Sequence, residues 1–182
     1  MKFTENQIDR YSRQIILKKI GIIGQKKLLN SRVLIVGAGG LGSPIAIYLT
    51  AAGIGKIGII DKDIVEVSNL SRQIVFNVSD IKKKKTAAAI SKLKKINPGI
   101  KFQSFHKKLT LKNINNIARN YELIVDGSDN FRTRFLINDY CLKNKKILIS
   151  GAINKFDGQV YTFNFLKKNS PCLRCFIPEI PE

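Results

Sequence analysis

The sequence predicts an α/β fold in which helices cover both faces of a mostly parallel sheet, with a helical extension at the N-terminus. Short β-branched runs alternate with segments of helical periodicity along the chain. A glycine-rich turn joins the first strand, residues 32–36, to the helix that follows it. Repeated strand–helix–strand units connect parallel strands, so the helices divide between the two faces of the sheet.

The same patterns assign the individual elements. Apolar spacing and glycine or Asn-Pro-Gly stops predict helices at 6–29 (broken near Gly21 and Gly24), 41–52, 80–96, 111–119 and 131–143. Short apolar runs predict strands at 32–36, 56–60, 102–106, 123–125 and 147–149. Alternating apolar and polar residues at 159–165 predict a final, antiparallel strand.

The chain is predicted to form one domain, because it contains no repeat and no low-complexity linker. Within residues 1–182 we distinguish a helical arm at 1–30, a core at 31–165 and a C-terminal segment at 166–182. No apolar run approaches the length of a membrane span, and the N-terminus lacks the apolar core of a signal peptide. The few cysteines favour a reducing compartment, so we expect a cytoplasmic protein without a membrane partner.

The formal net charge of +19 favours acidic or polyphosphate ligands. The excess is mostly lysine, with 24 Lys against 8 Arg. Proteins that read nucleic-acid grooves prefer arginine, because its guanidinium group makes bidentate contacts with bases. We therefore do not expect nucleic acid as a partner.

A glycine loop follows the first strand and makes the core Rossmann-like. Four glycines in the motif G-x-G-G-x-G are expected to bind a nucleotide: Gly37, Gly39, Gly40 and Gly42. They permit a tight turn, let the backbone approach phosphate oxygens, and direct the helix N-terminus at negative charge. Asp61 ends the second strand, where a carboxylate can accept hydrogen bonds from ribose hydroxyls. The loop alone does not distinguish ATP from NAD.

The polar residues after Asp61 favour ATP. Candidate contacts are Asp63, Asn69, Arg72, Gln73 and Lys85. Attack on the α-phosphate of ATP requires cations on the attacked phosphate and on the leaving pyrophosphate, whereas NAD can be held by loop amides alone. The lysines at 82–84 are interpreted as the solvated face of a helix.

A second acidic segment, residues 126–130, follows the fourth strand. The carboxyl ends of parallel strands line the ligand crevice, so Asp129 is a candidate Mg²⁺ ligand. The alternative is that Asp129 only caps the helix that begins at Phe131.

Cys172 and Cys175 form a C-x-x-C motif that supplies two of the four ligands of a zinc site. A redox motif is less favoured, because a redox C-x-x-C normally opens a helix in a thioredoxin-like β-α-β context, which this sequence lacks. Cys141 is interpreted as a small buried residue, and the single histidine, His106, is given no role.

These motifs occur in one order along nearly the whole chain: Arg10-Tyr11-Ser12-Arg13-Gln14, the glycine loop, Asp61-Lys62-Asp63, Asn69-Leu70-x-Arg72-Gln73, Lys85, Asp126-x-x-Asp129-Asn130 and Cys172-x-x-Cys175. Together they resemble the ThiF/MoeB/HesA family, the bacterial relatives of ubiquitin-activating enzymes. The resemblance implies that Asp61 contacts the ribose and that Asn69, Arg72 and Lys85 bind phosphates. It also implies that Asp129 holds Mg²⁺.

The resemblance further implies an adenylyltransferase that uses ATP to activate the C-terminal glycine carboxylate of a ubiquitin-like sulfur-carrier protein, in thiamine or molybdopterin biosynthesis. In the family's homodimer, Arg13 would reach into the nucleotide site of the neighbouring subunit. A second C-x-x-C would complete the zinc site beyond Glu182, so we expect a truncated member with poor zinc binding and a mobile segment after Cys172. An NAD(P)-dependent oxidoreductase and a non-catalytic nucleotide-binding remnant stay open as alternatives.

Overall fold

The computed structural model describes residues 3–179 and contains a six-stranded sheet with helices on both faces. The strands are β1 (Arg32–Val36), β2 (Lys56–Ile60), β3 (Lys101–Phe105), β4 (Leu123–Asp126), β5 (Ile147–Asn154) and β6 (Asp157–Asn164). The helices are α1 (Glu5–Ile15), α2 (Gly21–Asn30), α3 (Gly42–Ala52), α4 (Lys85–Ile96), α5 (Ile114–Ala118), α6 (Phe131–Lys143) and α7 (Leu173–Phe176). The predicted α/β class with a mostly parallel sheet is confirmed.

The strand order is β3-β2-β1-β4-β5-β6. The first five strands are parallel, and β6 pairs antiparallel with β5 at one edge of the sheet. The chain crosses from one side of β1 to the other between β3 and β4, so the order reverses beside β1. Ligands of open α/β sheets bind outside the carboxyl ends of the strands at such a reversal.

Each face of the sheet has its own apolar core. On one face, α3 and α4 pack on the strands through the alternate strand residues Val33, Ile35, Ile57 and Ile59. On the other face, α5 and α6 pack on Leu34, Val36, Ile124 and Leu148. Because successive strand residues point to opposite faces, the continuous apolar run of β1 supplies both cores.

The N-terminal arm is attached to the core by Tyr11, which is buried. Its ring lies against Gly53, whose positive φ of 87° ends α3, and a Cβ there would meet the ring at 2.6 Å. The Tyr11 hydroxyl accepts a hydrogen bond of 2.8 Å from Nδ2 of the buried Asn97. The helix α1 therefore has a fixed position on the end of the sheet opposite to the glycine loop.

Three predicted helices differ from the structure. The helix predicted at 111–119 is shortened to α5, Ile114–Ala118. The helix predicted at 80–96 begins at Lys85, because residues 82–84 pair with the chain that follows β2. Lys82 there adopts a positive φ of 68°, which no helix allows. The predicted break near Gly24 is also wrong, since α2 continues from Gly21 to Asn30.

The C-terminal part contains more regular structure than predicted. The strand predicted at 147–149 continues to Asn154 and forms a hairpin with β6. Within the segment after Cys172, which was expected to be mobile, residues 173–176 form α7, whose Leu173 is buried and donates its N–H to Oδ1 of Asn138 at 2.8 Å. Residues 180–182 of that segment lie outside the described residues. Within residues 3–179, no helix is long and apolar enough to cross a membrane.

The turn between β1 and α3 depends on two glycines. Gly37 has a φ of +89°, in the left-handed region that side chains disfavour. A Cβ at Gly42 would lie only 1.9 Å from the carbonyl oxygen of Gly37. The close backbone contact at the start of α3 therefore excludes any side chain at Gly42.

We predict that Gly42→Ala lowers the free energy of unfolding by about 3 kcal/mol, because the added methyl group has to displace backbone atoms. Gly39→Ala in the same loop is the matched control, since its Cβ would meet nothing closer than the Gln73 amide at 3.9 Å. Urea denaturation of both variants checks this. Equal stabilities for the two variants would contradict the close contact.

Candidate functional site

A cavity of about 920 Å³ opens at the carboxyl edge of the parallel strands. Residues that follow β1, β2, β3 and β4 line it, so it lies at the reversal of strand order. Most of the predicted nucleotide-binding residues meet there: Gly37, Gly39, Gly40, Asp61, Asp63, Asn69, Arg72, Gln73, Lys85 and Asp129. Gly42 does not line the cavity and instead permits the turn behind the loop.

Asp61 connects the end of β2 to the glycine loop. One carboxylate oxygen accepts a 2.8 Å hydrogen bond from the N–H of Ala38, and the other accepts one of 2.8 Å from the N–H of Asp63. Each oxygen has a second acceptor position, so the carboxylate can still accept hydroxyl donors from the cavity. Asp61 therefore has a structural role in addition to the predicted contact with ribose.

The segment after β2 brings polar side chains against the glycine loop. A short 3₁₀ turn at Val67–Asn69 precedes them, and Oδ1 of Asn69 accepts the N–H of Glu66 at 3.1 Å. The stem of Arg72 lies beside Gly40, where an added Cβ would be 3.6 Å from its Cδ. Nη1 of Arg72 donates to the carbonyl oxygen of Ser68 at 3.0 Å. The guanidinium group is therefore held next to the part of the loop expected to face phosphates.

Gln73 is the most deeply buried polar side chain that lines the cavity, with 3% of its surface exposed. Its Oε1 has no hydrogen-bond partner among the described residues. A buried amide oxygen without a partner costs free energy, so a ligand with a donor group would stabilise this position.

Lys85 is the first residue of α4 and is only 6% exposed. Its Nζ lies 3.5 Å from Oδ2 of Asp63, and its backbone N–H donates to the carbonyl oxygen of Asp63 at 3.0 Å. Asp63 thus holds a buried ammonium group at the cavity wall. This contact is more specific than the general nucleotide contact predicted for Asp63.

The helix-capping alternative for Asp129 is wrong. The N-cap of α6 is Asn130, whose Oδ1 accepts the N–H of Thr133 at 2.9 Å. Among the described residues, the carboxylate of Asp129 accepts one hydrogen bond, of 3.3 Å from Nδ2 of Asn130. Asp129 therefore lines the cavity without a capping role.

Arg13 does not line the cavity of its own chain. It lies in the last turn of α1, and its side chain is exposed. In the part of the chain that the structure describes, Arg13 is therefore apart from the residues that the glycine loop brings together.

The cavity also contains residues that the sequence analysis missed: Lys62, Lys107, Lys108, Ser128, Asn130 and Thr133. Lys107 and Lys108 follow β3, so their position at the end of a parallel strand was the available signal. Lys62 lies between the two predicted acidic residues. The single histidine, His106, does not line the cavity, although its Nδ1 is buried without a hydrogen-bond partner.

The two cysteines of the C-x-x-C motif lie close together. Their sulfur atoms are 3.8 Å apart, and Sγ of Cys175 accepts the N–H of Cys172 at 3.4 Å. Thiolates at about 2.3 Å from a tetrahedral zinc are about 3.8 Å apart, so the spacing fits two ligands of one ion. Among residues 3–179, no group of three histidine, cysteine or acidic side chains could hold a metal.

The site combines cations with acidic side chains rather than with a nucleophile and a general base. Arg72 and Lys85 can neutralise phosphate oxygens, and the loop backbone can approach them closely. Cys141 is not a candidate nucleophile, because burial raises the pKa of its thiol to about 12. The arrangement can bind a nucleoside polyphosphate and stabilise charge that develops on its phosphates.

Solved structures and characterised sequences include relatives of this chain. A sulfur carrier protein adenylyltransferase from Thermus thermophilus is 43% identical over 184 residues, which cover 100% of this chain and 68% of that protein. A probable molybdopterin-synthase adenylyltransferase from Porphyra purpurea is 49% identical over 163 residues, which cover 90% of this chain and 43% of that protein. The chain thus spans less than half of one of these relatives.

Among solved structures, the crystal structure of E. coli MccB with ATP has a TM-score of 0.79 and 28% sequence identity. The match covers 91% of this chain and 50% of MccB. The ThiF family itself matches residues 11–182, which is nearly the whole chain. Sequence and fold therefore agree that this chain belongs to the ThiF family.

Proposed function

We propose that the chain is the ATP-binding part of an adenylyltransferase that activates the C-terminal carboxylate of a ubiquitin-like sulfur-carrier protein. The observation that carries this proposal is the meeting of Arg72, Lys85 and Asp129 with the glycine loop in one cavity. A site for hydride transfer would need no such convergence of cations. The names of the Thermus and Porphyra relatives support the same activity.

The reaction needs neither a nucleophilic side chain nor a general base. A terminal carboxylate of the carrier is ionised at neutral pH, and one of its oxygens attacks the α-phosphorus of ATP. The new C–O–P bond forms as the bond between the α-phosphorus and the bridging oxygen breaks. Pyrophosphate leaves with that electron pair, and the carrier becomes an acyl-adenylate. The protein accelerates the step by positioning the two reactants and stabilising the developing charge.

Each side chain has a role that follows from its place. Asp61 accepts hydrogen bonds from the ribose hydroxyls, while the side-chain amides of Asn69 and Gln73 can form hydrogen bonds with the nucleotide. Arg72, beside Gly40, neutralises phosphate oxygens near the loop. Lys85 reaches the phosphates from the start of α4, where Asp63 holds its ammonium group.

Asp129 is the proposed ligand of Mg²⁺. Asp129 lines the cavity and is exposed, and its carboxylate accepts one weak hydrogen bond among the described residues, which leaves its oxygens available to a cation. Magnesium usually binds one or two carboxylates together with substrate phosphates, so a single acidic residue suffices. When bound, the ion would neutralise negative charge on the phosphates.

Arg13 is proposed to act in the nucleotide site of a second subunit within a homodimer. It is exposed on α1 and lies outside the cavity of its own chain. A guanidinium group that enters from a partner would add to the charge provided by Arg72 and Lys85.

Cys172 and Cys175 are proposed to supply half of a zinc site. Their 3.8 Å sulfur separation fits two ligands of one zinc ion, and α7 begins directly after Cys172. Two thiolates leave half of the tetrahedron to other ligands, so we expect them to hold zinc weakly without those ligands.

The rival functions make different demands on the cavity. An NAD(P)-dependent oxidoreductase would use the glycine loop and Asp61 but would leave the buried Lys85 without a ligand. A non-catalytic remnant would bind ATP but would not transfer its adenylyl group to a carrier. The name of the Porphyra relative refers to molybdopterin synthase, whereas the name of the Thermus relative refers only to a sulfur carrier protein.

We predict that the chain binds Mg·ATP more tightly than NAD, because Arg72 and Lys85, which both line the cavity, match the negative charge of the triphosphate. Arg72→Ala should weaken ATP binding by roughly tenfold or more, since a charge-assisted hydrogen bond contributes about 1.5–3 kcal/mol. Isothermal titration calorimetry with both ligands measures these affinities.

The matched control is Arg32→Ala. Arg32 is half-exposed at the amino end of β1, where it pairs with Glu122 at 2.7 Å, away from the cavity. It should leave ATP affinity unchanged. Tighter binding of NAD, or equal effects of the two substitutions, would argue against the ATP assignment.

We predict that Arg13 acts between subunits. Mixing Arg13→Ala subunits with Asp129→Ala subunits should restore part of the ATP–pyrophosphate exchange that each variant loses alone. One of the two sites in such a hybrid dimer keeps both residues intact. If verified heterodimers recover no exchange, Arg13 has no role in the partner's site.

A further inference from the structure

Asp126 is a buried carboxylate that the proposed chemistry does not use. It ends β4, is 1% exposed, and pairs in register with Val36 on β1 and Ser150 on β5. Burial raises the pKa of Asp126, although hydrogen bonds from Ser128 and Ser150 and the charge of Arg134 oppose the shift. A buried carboxylate costs desolvation free energy, so its contacts have to provide something that an apolar residue would not.

Asp126 and Arg134 together hold Ser128 through three of its atoms. Oδ1 of Asp126 accepts the N–H of Ser128 at 3.0 Å and its hydroxyl at 2.6 Å. Nη2 of Arg134 donates to the carbonyl oxygen of Ser128 at 2.9 Å. The hydroxyl of Ser150 donates to Oδ2 of Asp126 at 3.0 Å, which fixes the carboxylate itself.

The residue after Asp129 is fixed as well. Asn130 caps α6 by accepting the N–H of Thr133, so its position is set by the helix. Asp129 lies between Ser128 and Asn130, and among the described residues its own carboxylate accepts only the 3.3 Å hydrogen bond from Asn130. The contacts of these two neighbours therefore fix the backbone from which the side chain of Asp129 extends.

We propose that Asp126 is a positioning residue that acts through Ser128 to direct the Asp129 carboxylate at a divalent cation on the nucleotide phosphates. This inference rests on the proposed function, since it assumes that the cavity binds ATP with Mg²⁺. Partners that orient a metal ligand typically change metal affinity by 10–100-fold when removed.

The test compares ATP affinity in Mg²⁺ with ATP affinity in EDTA, both measured by calorimetry. Mg²⁺ is expected to raise the affinity for ATP, and Asp126→Ala should make this Mg²⁺ enhancement about tenfold smaller. The affinity for ATP in EDTA should be unchanged. Asp126→Asn should restore most of the enhancement, because its amide oxygen can accept both donors of Ser128 while its NH₂ group donates to Ser150. A residue needed only for folding would change both affinities together.

A double-mutant cycle identifies the residue through which Asp126 acts. In an Asp129→Ala background, Asp126→Ala should cause no further loss of the Mg²⁺ enhancement, because the positioned carboxylate is already absent. Additive losses would overturn the proposal, as would equal losses with and without Mg²⁺. If Asp126→Ala does not fold, Ser128→Ala takes its place, since it removes the 2.6 Å hydrogen bond alone.

The control is Ser79→Ala, which removes an exposed hydroxyl that donates to Asn77 outside the cavity. It should leave the Mg²⁺ enhancement unchanged. A wild-type chain that does not bind ATP at all would refute the proposed function, and this inference with it. A wild-type chain whose ATP affinity rises with Mg²⁺, beside an unaffected Asp126→Ala variant, would refute this inference alone.

Discussion

Three glycines in mutual contact set the position of every other part of the site. A Cβ at Gly37 would lie 2.9 Å from the carbonyl oxygen of Gly127, and one at Gly42 would lie 1.9 Å from that of Gly37. A Cβ at Gly127 would in turn lie 3.3 Å from the backbone nitrogen of Gly42. The ends of β1 and β4 and the start of α3 can therefore approach each other without side chains between them. This close approach creates the crevice in which phosphates can meet backbone N–H groups.

Charged side chains then arrange the polar walls around that backbone contact. Asp61 holds the loop through Ala38, while Asp63 holds the ammonium group of Lys85. On the other wall, Asp126 holds Ser128 beside Asp129. Acidic residues thus have two kinds of task in the proposed mechanism, since some orient neighbours and Asp129 is proposed to bind a cation. Charge that is fixed in advance stabilises a transition state without reorganisation during the reaction.

The sequence predicted the fold class because strands and helices alternate and glycines mark the turn between β1 and α3. It also predicted most cavity residues, since side chains that follow parallel strands collect at one edge. It did not predict the late start of α4, because the pairing of residues 82–84 with the chain after β2 is a long-range contact. The buried position of the Asp126 carboxylate could not be predicted either, because it depends on a hydrogen bond from Ser150 in the neighbouring strand. The capping role of Asn130 rather than Asp129 required the helix boundary, which sequence patterns fix least well.

Isotope exchange between pyrophosphate and ATP, with and without a ubiquitin-like sulfur carrier, directly measures adenylyl transfer from ATP to a carrier carboxylate. We predict exchange that requires the carrier and disappears when the carrier's C-terminal glycine is removed, because the carboxylate is then misplaced. Exchange that is independent of the carrier, or no exchange while ATP is bound and the carrier is intact, would contradict adenylyl transfer in this cavity.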